Sequence, residues 1–173
     1  MKRTISVLAW IAIAIMASAP ATAQIGRRFP SERKVINDPK TGVELIFLTS
    51  QSGTGDSKIY QTHNQWTSDG KWVIFRSDRV PGEAMAVHEE SGDIVQVTEG
   101  GFSGMLCVAR HSMHLYYMRP VQKAREKSKE RSREREMEVV EIDLERLFAD
   151  SEADNLKKKK HYERICGVIP AEM

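Results

Sequence analysis

Cysteine is scarce in this 173-residue chain: only Cys107 and Cys166 are present, and no Cys-x-x-Cys spacing occurs. That argues against a structural zinc site. Charge of one sign is missing too, with 26 Lys and Arg against 24 Asp and Glu and a formal net charge of +2. A chain so balanced lacks the electrostatic footprint of a nucleic-acid binder. No Gly-rich phosphate loop, Gly-x-Ser-x-Gly elbow or His-Glu-x-x-His helix occurs. The sequence therefore carries no self-contained catalytic constellation.

The one extended apolar run, Ile5 to about Met16, follows the basic Lys2 and Arg3 and precedes Ala21-Thr22-Ala23, a small-x-small cleavage site. That order of regions marks residues 1–23 as a secretory signal peptide, cleaved between Ala23 and Gln24. It predicts a periplasmic or secreted protein with no stable membrane span after cleavage. The run is short of the roughly 20 apolar residues that a spanning helix needs. An uncleaved anchor is the alternative. Cleavage removes Lys2 and Arg3 and leaves a mature chain of about neutral charge. Export permits a disulfide without implying one. Cys107, inside Met105-Leu-Cys-Val, reads as a buried free thiol.

What is present in quantity is short β-patterned segments divided by turns. Residues 24–37 read as a polar, weakly patterned N-terminal arm. Asp38-Pro-Lys-Thr-Gly42 is a turn, and Val43 to Thr49 is dense in strand formers. Trp66-Thr-Ser-Asp-Gly-Lys-Trp-Val-Ile-Phe-Arg-Ser-Asp-Arg79 reads as a strand end, an Asp-Gly turn, an apolar strand and a polar exit. A shift of 42 residues lays Trp72–Arg76 over His114–Met118, and Asp69-Gly70 over His111-Ser112. A period of that size with several strands per repeat is the signature of propeller blades.

The fold class expected is thus all-β, a partial β-propeller of about two antiparallel blades. Its parts are an arm over residues 24–37, the first blade and the start of a second over 38–119, and a charged insertion over 120–136. Residues 137–173 hold the remainder of the second blade and the start of a third, truncated one. From Gln122 to Glu136 the chain is almost wholly Lys, Arg, Glu and Ser, which cannot bury a face. It reads as a solvated helix or disordered loop, with a basic tether as the functional alternative. Leu144 to Phe148 reads as one helical turn, and Lys157 to Lys160 as a basic loop.

Among the five histidines, His111 and His114 form the one close pair, on opposite faces if on a strand; His88 and His161 read as surface groups. His63, Gln65 and Arg79 are the candidate ligand-binding residues. His63 and Gln65 lie in Tyr60-Gln-Thr-His-Asn-Gln-Trp66, where sugar-holding polar groups alternate with aromatics. Arg79 could fork onto a carboxylate, or pair with Asp78 to brace the turn. No residue qualifies as catalytic or as a metal ligand.

Trp66 to Arg79 resembles the repeat of Tol-type β-propellers. Asp38-Pro-Lys-Thr-Gly42, Leu48-Thr49, Tyr60-Gln-Thr-His-Asn64, Ser68-Asp-Gly70 and Gln96-Val-Thr-Glu-Gly100 together resemble the opening of the oligogalacturonate lyases, over about residues 35–118. That resemblance implies a seven-bladed propeller acting on acidic oligosaccharides from pectin, without nucleic acid. It implies β-elimination, in which a base removes the proton α to the uronate carboxylate and the glycosidic oxygen leaves. Manganese or a similar divalent metal is expected in full-length members, its ligands in later blades that this chain ends before. The fragment itself is expected to be inactive and to hold no cofactor. The alternative is a non-catalytic Tol-like periplasmic propeller that binds a protein or glycan.

Overall fold

A computed structural model describes residues 23–51, 53–121 and 136–171. The expected signal peptide, apart from Ala23, and all of the charged insertion from Gln122 to Glu136 except Glu136 lie outside the described residues. Among the described residues eleven strands appear: β1 Arg28–Phe29, β2 Lys34–Asn37, β3 Glu44–Phe47, β4 Ser57–Lys58, β5 Trp72–Arg76, β6 Ala84–His88, β7 Ile94–Gln96, β8 Ser103–Val108, β9 His114–Pro120, β10 Met137–Asp143 and β11 Glu163–Ile169. An α-helix, α1, covers Leu144–Glu152, and a 3₁₀ turn covers Lys159–His161.

The strands form three antiparallel sheets. The first has the order β1-β7-β6-β5-β4, the second β11-β10-β9-β8, and β2-β3 is a separate hairpin. Consecutive strands are neighbours from β4 to β7 and again from β8 to β11, so each set is one four-stranded meander. The repeat seen in the sequence is real in space: β5 and β9 are the second strands of the two meanders. The first of these strands is launched by the Asp-Gly turn. The Gly70 amide donates to the Thr67 carbonyl at 2.9 Å, and Gly70 takes φ +73°, which suits glycine. The Thr67 hydroxyl lies 2.5 Å from the Asp69 carboxylate and accepts from the Trp72 amide at 3.1 Å.

Alternation decides what each meander buries. Trp72 and Ile74 of β5, Ala84 and Ala86 of β6, and Val95 and Val97 along β7 face the second meander. They join one core with Leu106 and Val108 of β8, Leu115 and Tyr117 of β9, and Val140 and Ile142 of β10. Each large side chain buried there contributes about 1.5–3 kcal/mol. The intervening residues Phe75, Met85, Val87 and Ile94 point the other way, into a smaller core with Phe29, Leu48 and Val73. The first blade is thus covered on both faces.

Four segments differ from their sequence reading. The arm is not unpatterned: β1 adds a fifth strand beside β7, with Arg28 opposite Val95, and β2 pairs with β3. The helical turn is a nine-residue helix, capped by the Asp143 side chain accepting from the Arg146 amide at 3.0 Å. Its buried residues Leu144, Leu147, Phe148 and Ser151 form one stripe, and Phe148 stacks on Trp72 at 4.1 Å between centroids. Residues 137–173, read as the rest of the second blade and the start of a third, hold among the described residues β10 and β11, the third and fourth strands of the second. Cys107, read as buried, is exposed, because the β8 face that carries it meets no neighbouring sheet.

Both cysteines are free thiols. They sit on β8 and β11, the opposite edges of a four-stranded sheet, about 14 Å apart at the usual strand spacing. A disulfide tolerates at most about 7 Å between Cα atoms. No helix among the described residues is long and apolar enough to cross a membrane.

Candidate functional site

Arg79 follows β5 in the polar exit, and its side chain is only 4% exposed. Every nitrogen of its guanidinium is engaged. Nε and Nη2 donate to Glu32 at 3.1 and 2.6 Å, and Nη1 donates to Asp56 and to the Ser77 hydroxyl. Glu32 also accepts from the amides of Ser50 and Gln51, both at 3.0 Å. Arg79 therefore ties the Glu32 and Asp56 loops to the end of β5. Burial pushes both carboxyls up, but hydrogen bonds and the charge of Arg79 outweigh it and hold each below the usual carboxylate range. Desolvation opposes the Arg79 cation, and its two carboxylates overcome that and raise it. Asp78, the neighbour expected to brace Arg79, points elsewhere: its carboxylate lies over Gly55, where an added Cβ would sit 2.2 Å from it.

Gln65 and His63 lie nearer the β4 edge. The Gln65 carbonyl accepts from the Ile74 amide at 2.8 Å, and Gln65 lines a cavity of about 220 Å³ with Asp56, Lys58 and Phe75. The His63 ring leans on Tyr60 at 5.5 Å and 52°, and its Nδ1 is buried with no hydrogen-bond partner among the described residues. A second cavity of about 340 Å³ lies alongside, lined by Lys58, Ile59, Tyr60, Gln61 and Arg76.

Lys58 lines both cavities at the β4 rim, with its side chain on the Phe75 face of the sheet. It forms no ion pair among the described residues. Arg76 closes the rim toward the second blade: Nη2 donates to the Gly104 carbonyl of β8 at 3.0 Å, its guanidinium lies 5.8 Å from the Phe102 ring, and its buried Nε has no partner. Sequence reasoning selected Arg79 and passed over Arg76 and Lys58. The signal for Arg76 was available: a cation in register with Trp72 and Ile74 on an otherwise apolar strand.

The two cations lie on opposite faces of the first sheet, since Lys58 stands opposite Phe75 and Arg76 opposite Ser57 in the β4–β5 register. Of the other histidines, His88 stands edge-on to Trp72 at 4.9 Å, and His114 Nδ1 lies 2.9 Å from the Ser112 hydroxyl. Among the described residues, no three His, Cys, Asp or Glu side chains come together in a way that could hold a metal ion. The described residues therefore do not fit such an ion.

Two four-stranded antiparallel meanders packed face to face, with β5 joined to β8 by Arg76, define consecutive blades of a β-propeller. No protein-family model and no curated protein matches the chain. Among solved structures it is similar to an oligogalacturonate lyase in complex with manganese, with a TM-score of 0.58 and 17% identity over 87% of this chain and 33% of that one. An oligogalacturonate lyase from Vibrio parahaemolyticus aligns at a TM-score of 0.40 and 12% identity, over 84% of this chain and 49% of that one, which is too loose to argue from. At such identity the first likeness establishes the fold. The chain spans about a third of the length of that structure.

Proposed function

We propose that this chain is part of an exported oligogalacturonate lyase-like propeller, and that the whole ring degrades acidic oligosaccharides from pectin by β-elimination. The observation that carries this reading is the likeness to an oligogalacturonate lyase fold across 87% of the chain. Lys58 on β4 and Arg76 on β5, neither in an ion pair among the described residues, support the acidic class of substrate, because the inner strands of a propeller face its channel. Export rests on the sequence pattern of residues 1–23. A divalent metal such as manganese belongs to the proposal for the whole ring. The 173-residue chain by itself is proposed to be inactive, since two blades supply only part of a channel wall.

A domain exchange tests this. Residues 24–173 replace the corresponding third of an oligogalacturonate lyase, and unsaturated uronate formation is followed by absorbance. The expected result is lyase activity in the chimera and none in the isolated chain. A chimera that folds cooperatively yet cleaves nothing overturns the reading, and activity in the isolated chain overturns its inactivity.

A further inference from the structure

We propose that Gln24 is a modification site: once it is the first residue, its α-nitrogen closes onto its own side-chain amide, and the resulting N-terminal lactam (pyroglutamate) is seated on Gln96 beside Glu99. That Gln24 becomes the first residue rests on the export proposed above. The seat that receives it rests on the geometry around residues 24–27 alone.

The backbone here is fastened at each step. Ile25 is fully buried, and its amide donates to the Glu99 carboxylate at 3.0 Å. The Gly26 amide donates to the Gln96 carbonyl at 2.8 Å, and the Gly26 carbonyl accepts from the Ser151 hydroxyl at 2.7 Å. The Arg27 amide donates back to the Gln24 carbonyl at 3.1 Å, closing a turn in which Gly26 takes φ +84°. The Gln24 nitrogen itself donates to Gln96 Oε1 at 3.3 Å. Gln96 is buried and its Nε2 donates to the Thr98 carbonyl at 2.7 Å, so that acceptor cannot turn away. The Gln24 side chain is left over: the residue is exposed, and its amide forms no hydrogen bond among the described residues.

That seat suits one uncharged N–H. A free N-terminus would instead bring an ammonium into a cavity of about 540 Å³ that Gln24 shares with Lys157, Lys158 and Lys159. Like charges in one cavity favour the neutral amine, which is the nucleophile. Glu99 lines the same cavity and is the carboxylate able to take its proton. The α-nitrogen attacks Cδ of the Gln24 amide. An N–Cδ bond forms, the Cδ–Nε2 bond breaks, and the proton relayed by Glu99 leaves with Nε2 as ammonia. The five-membered lactam has one N–H and no charge, so it keeps the bond to Gln96 and ends the repulsion.

The test is to express the whole chain for export in a bacterium and read the N-terminal peptide of the recovered protein by mass spectrometry. The expected peptide begins at Gln24, is lighter by one ammonia, and resists stepwise N-terminal degradation until a pyroglutamyl peptidase removes the lactam. Glu99→Gln keeps an acceptor for the Ile25 amide and removes the base. In samples taken at intervals after a pulse of expression it should close about tenfold or more slowly than wild type, with an unchanged melting temperature. Gln24→Ala cannot close, and its ammonium should lower the melting temperature. A peptide that begins at unmodified Gln24 overturns the lactam and leaves export standing. Protein that keeps residues 1–23 overturns both, and cleavage at another bond overturns the site at Gln24 alone. Equal rates in wild type and Glu99→Gln remove Glu99 as the base, and an unchanged melting temperature in Gln24→Ala overturns the preference of the seat for an uncharged group.

Discussion

The two blades share a topology and differ in cover. In the first blade, Trp72, Ile74 and Phe75 of β5 and Ala84 to Val87 of β6 are all buried, so apolar residues on both faces of the sheet find partners. In the second, Leu115 and Tyr117 are buried while Met105 is 49%, Ile165 43% and Val168 54% exposed. Its free face carries a polar trio, with Tyr116 donating to Glu141 at 2.7 Å and Arg164 Nη2 donating to Glu141 at 2.8 Å. Those two partners, Arg164 first, hold the Glu141 carboxyl below its ordinary range. The same four-stranded unit therefore draws stability from whatever lies against it. The hairpin β2-β3 makes the point again, with Val35 41%, Ile46 46% and Phe47 43% exposed although the strands are fully paired.

The strongest way to break this comparison is to remove one large side chain from each setting. Trp72→Ala should destabilise by about 3–5 kcal/mol, since it empties the inter-blade core and strands Phe148. Met105→Ala on the free face should stay within about 0.5 kcal/mol. Urea midpoints at constant m-value measure both, and equal shifts would mean that the blades are not differently covered.

A buried ion pair comes next. Arg79→Ala leaves Glu32 and Asp56 without their cation and should cost about 3 kcal/mol at neutral pH. Because both carboxyls titrate lower in the folded state, they add stability above their unfolded range, near pH 4, and that stability is lost as pH falls through their folded values. The gap between wild type and Arg79→Ala should therefore narrow from pH 7 toward pH 3 in thermal melts. A constant gap would mean that the pairing adds nothing linked to protons.

Smaller still is the contrast between the two repeated turns. Thr67→Ala removes a hydroxyl bonded to Asp69 and Trp72 and should cost about 1 kcal/mol. Ser112, which falls on Gly70 in the 42-residue shift and whose hydroxyl lies 2.9 Å from the His114 ring nitrogen, should cost close to nothing on truncation to Ala. The smallest effect concerns the thiols. Both cysteines should react with an aromatic disulfide reagent without denaturant, and reductant should leave the melting temperature unchanged.

How much of this was legible depends on range. The turn at Asp69-Gly70, the alternation along Trp72–Arg76 and the 42-residue echo at His114 are local signals, and each became the element expected. The α1 stripe of Leu144, Leu147, Phe148 and Ser151 has helical spacing, yet five residues of it looked like a single turn. Strand β1 has two residues and no local signal; its pairing with β7 lies more than sixty residues away. Of the candidate ligand residues, His63 and Gln65 lie beside the rim, while Arg79 is enclosed by carboxylates.

The sequence by itself determined the repeating unit and which face of each strand is apolar, because turn chemistry and period-two alternation act between neighbours in the chain. Only the tertiary structure decided between Arg76 and Arg79, three positions apart in one motif. Glu32 and Asp56 reach Arg79 from 47 and 23 residues away and neutralise it, while Arg76 meets β8 at the inner edge and keeps a nitrogen unpaired. Charge is available for binding only where the fold has not already spent it, and that depends on contacts that no local pattern encodes.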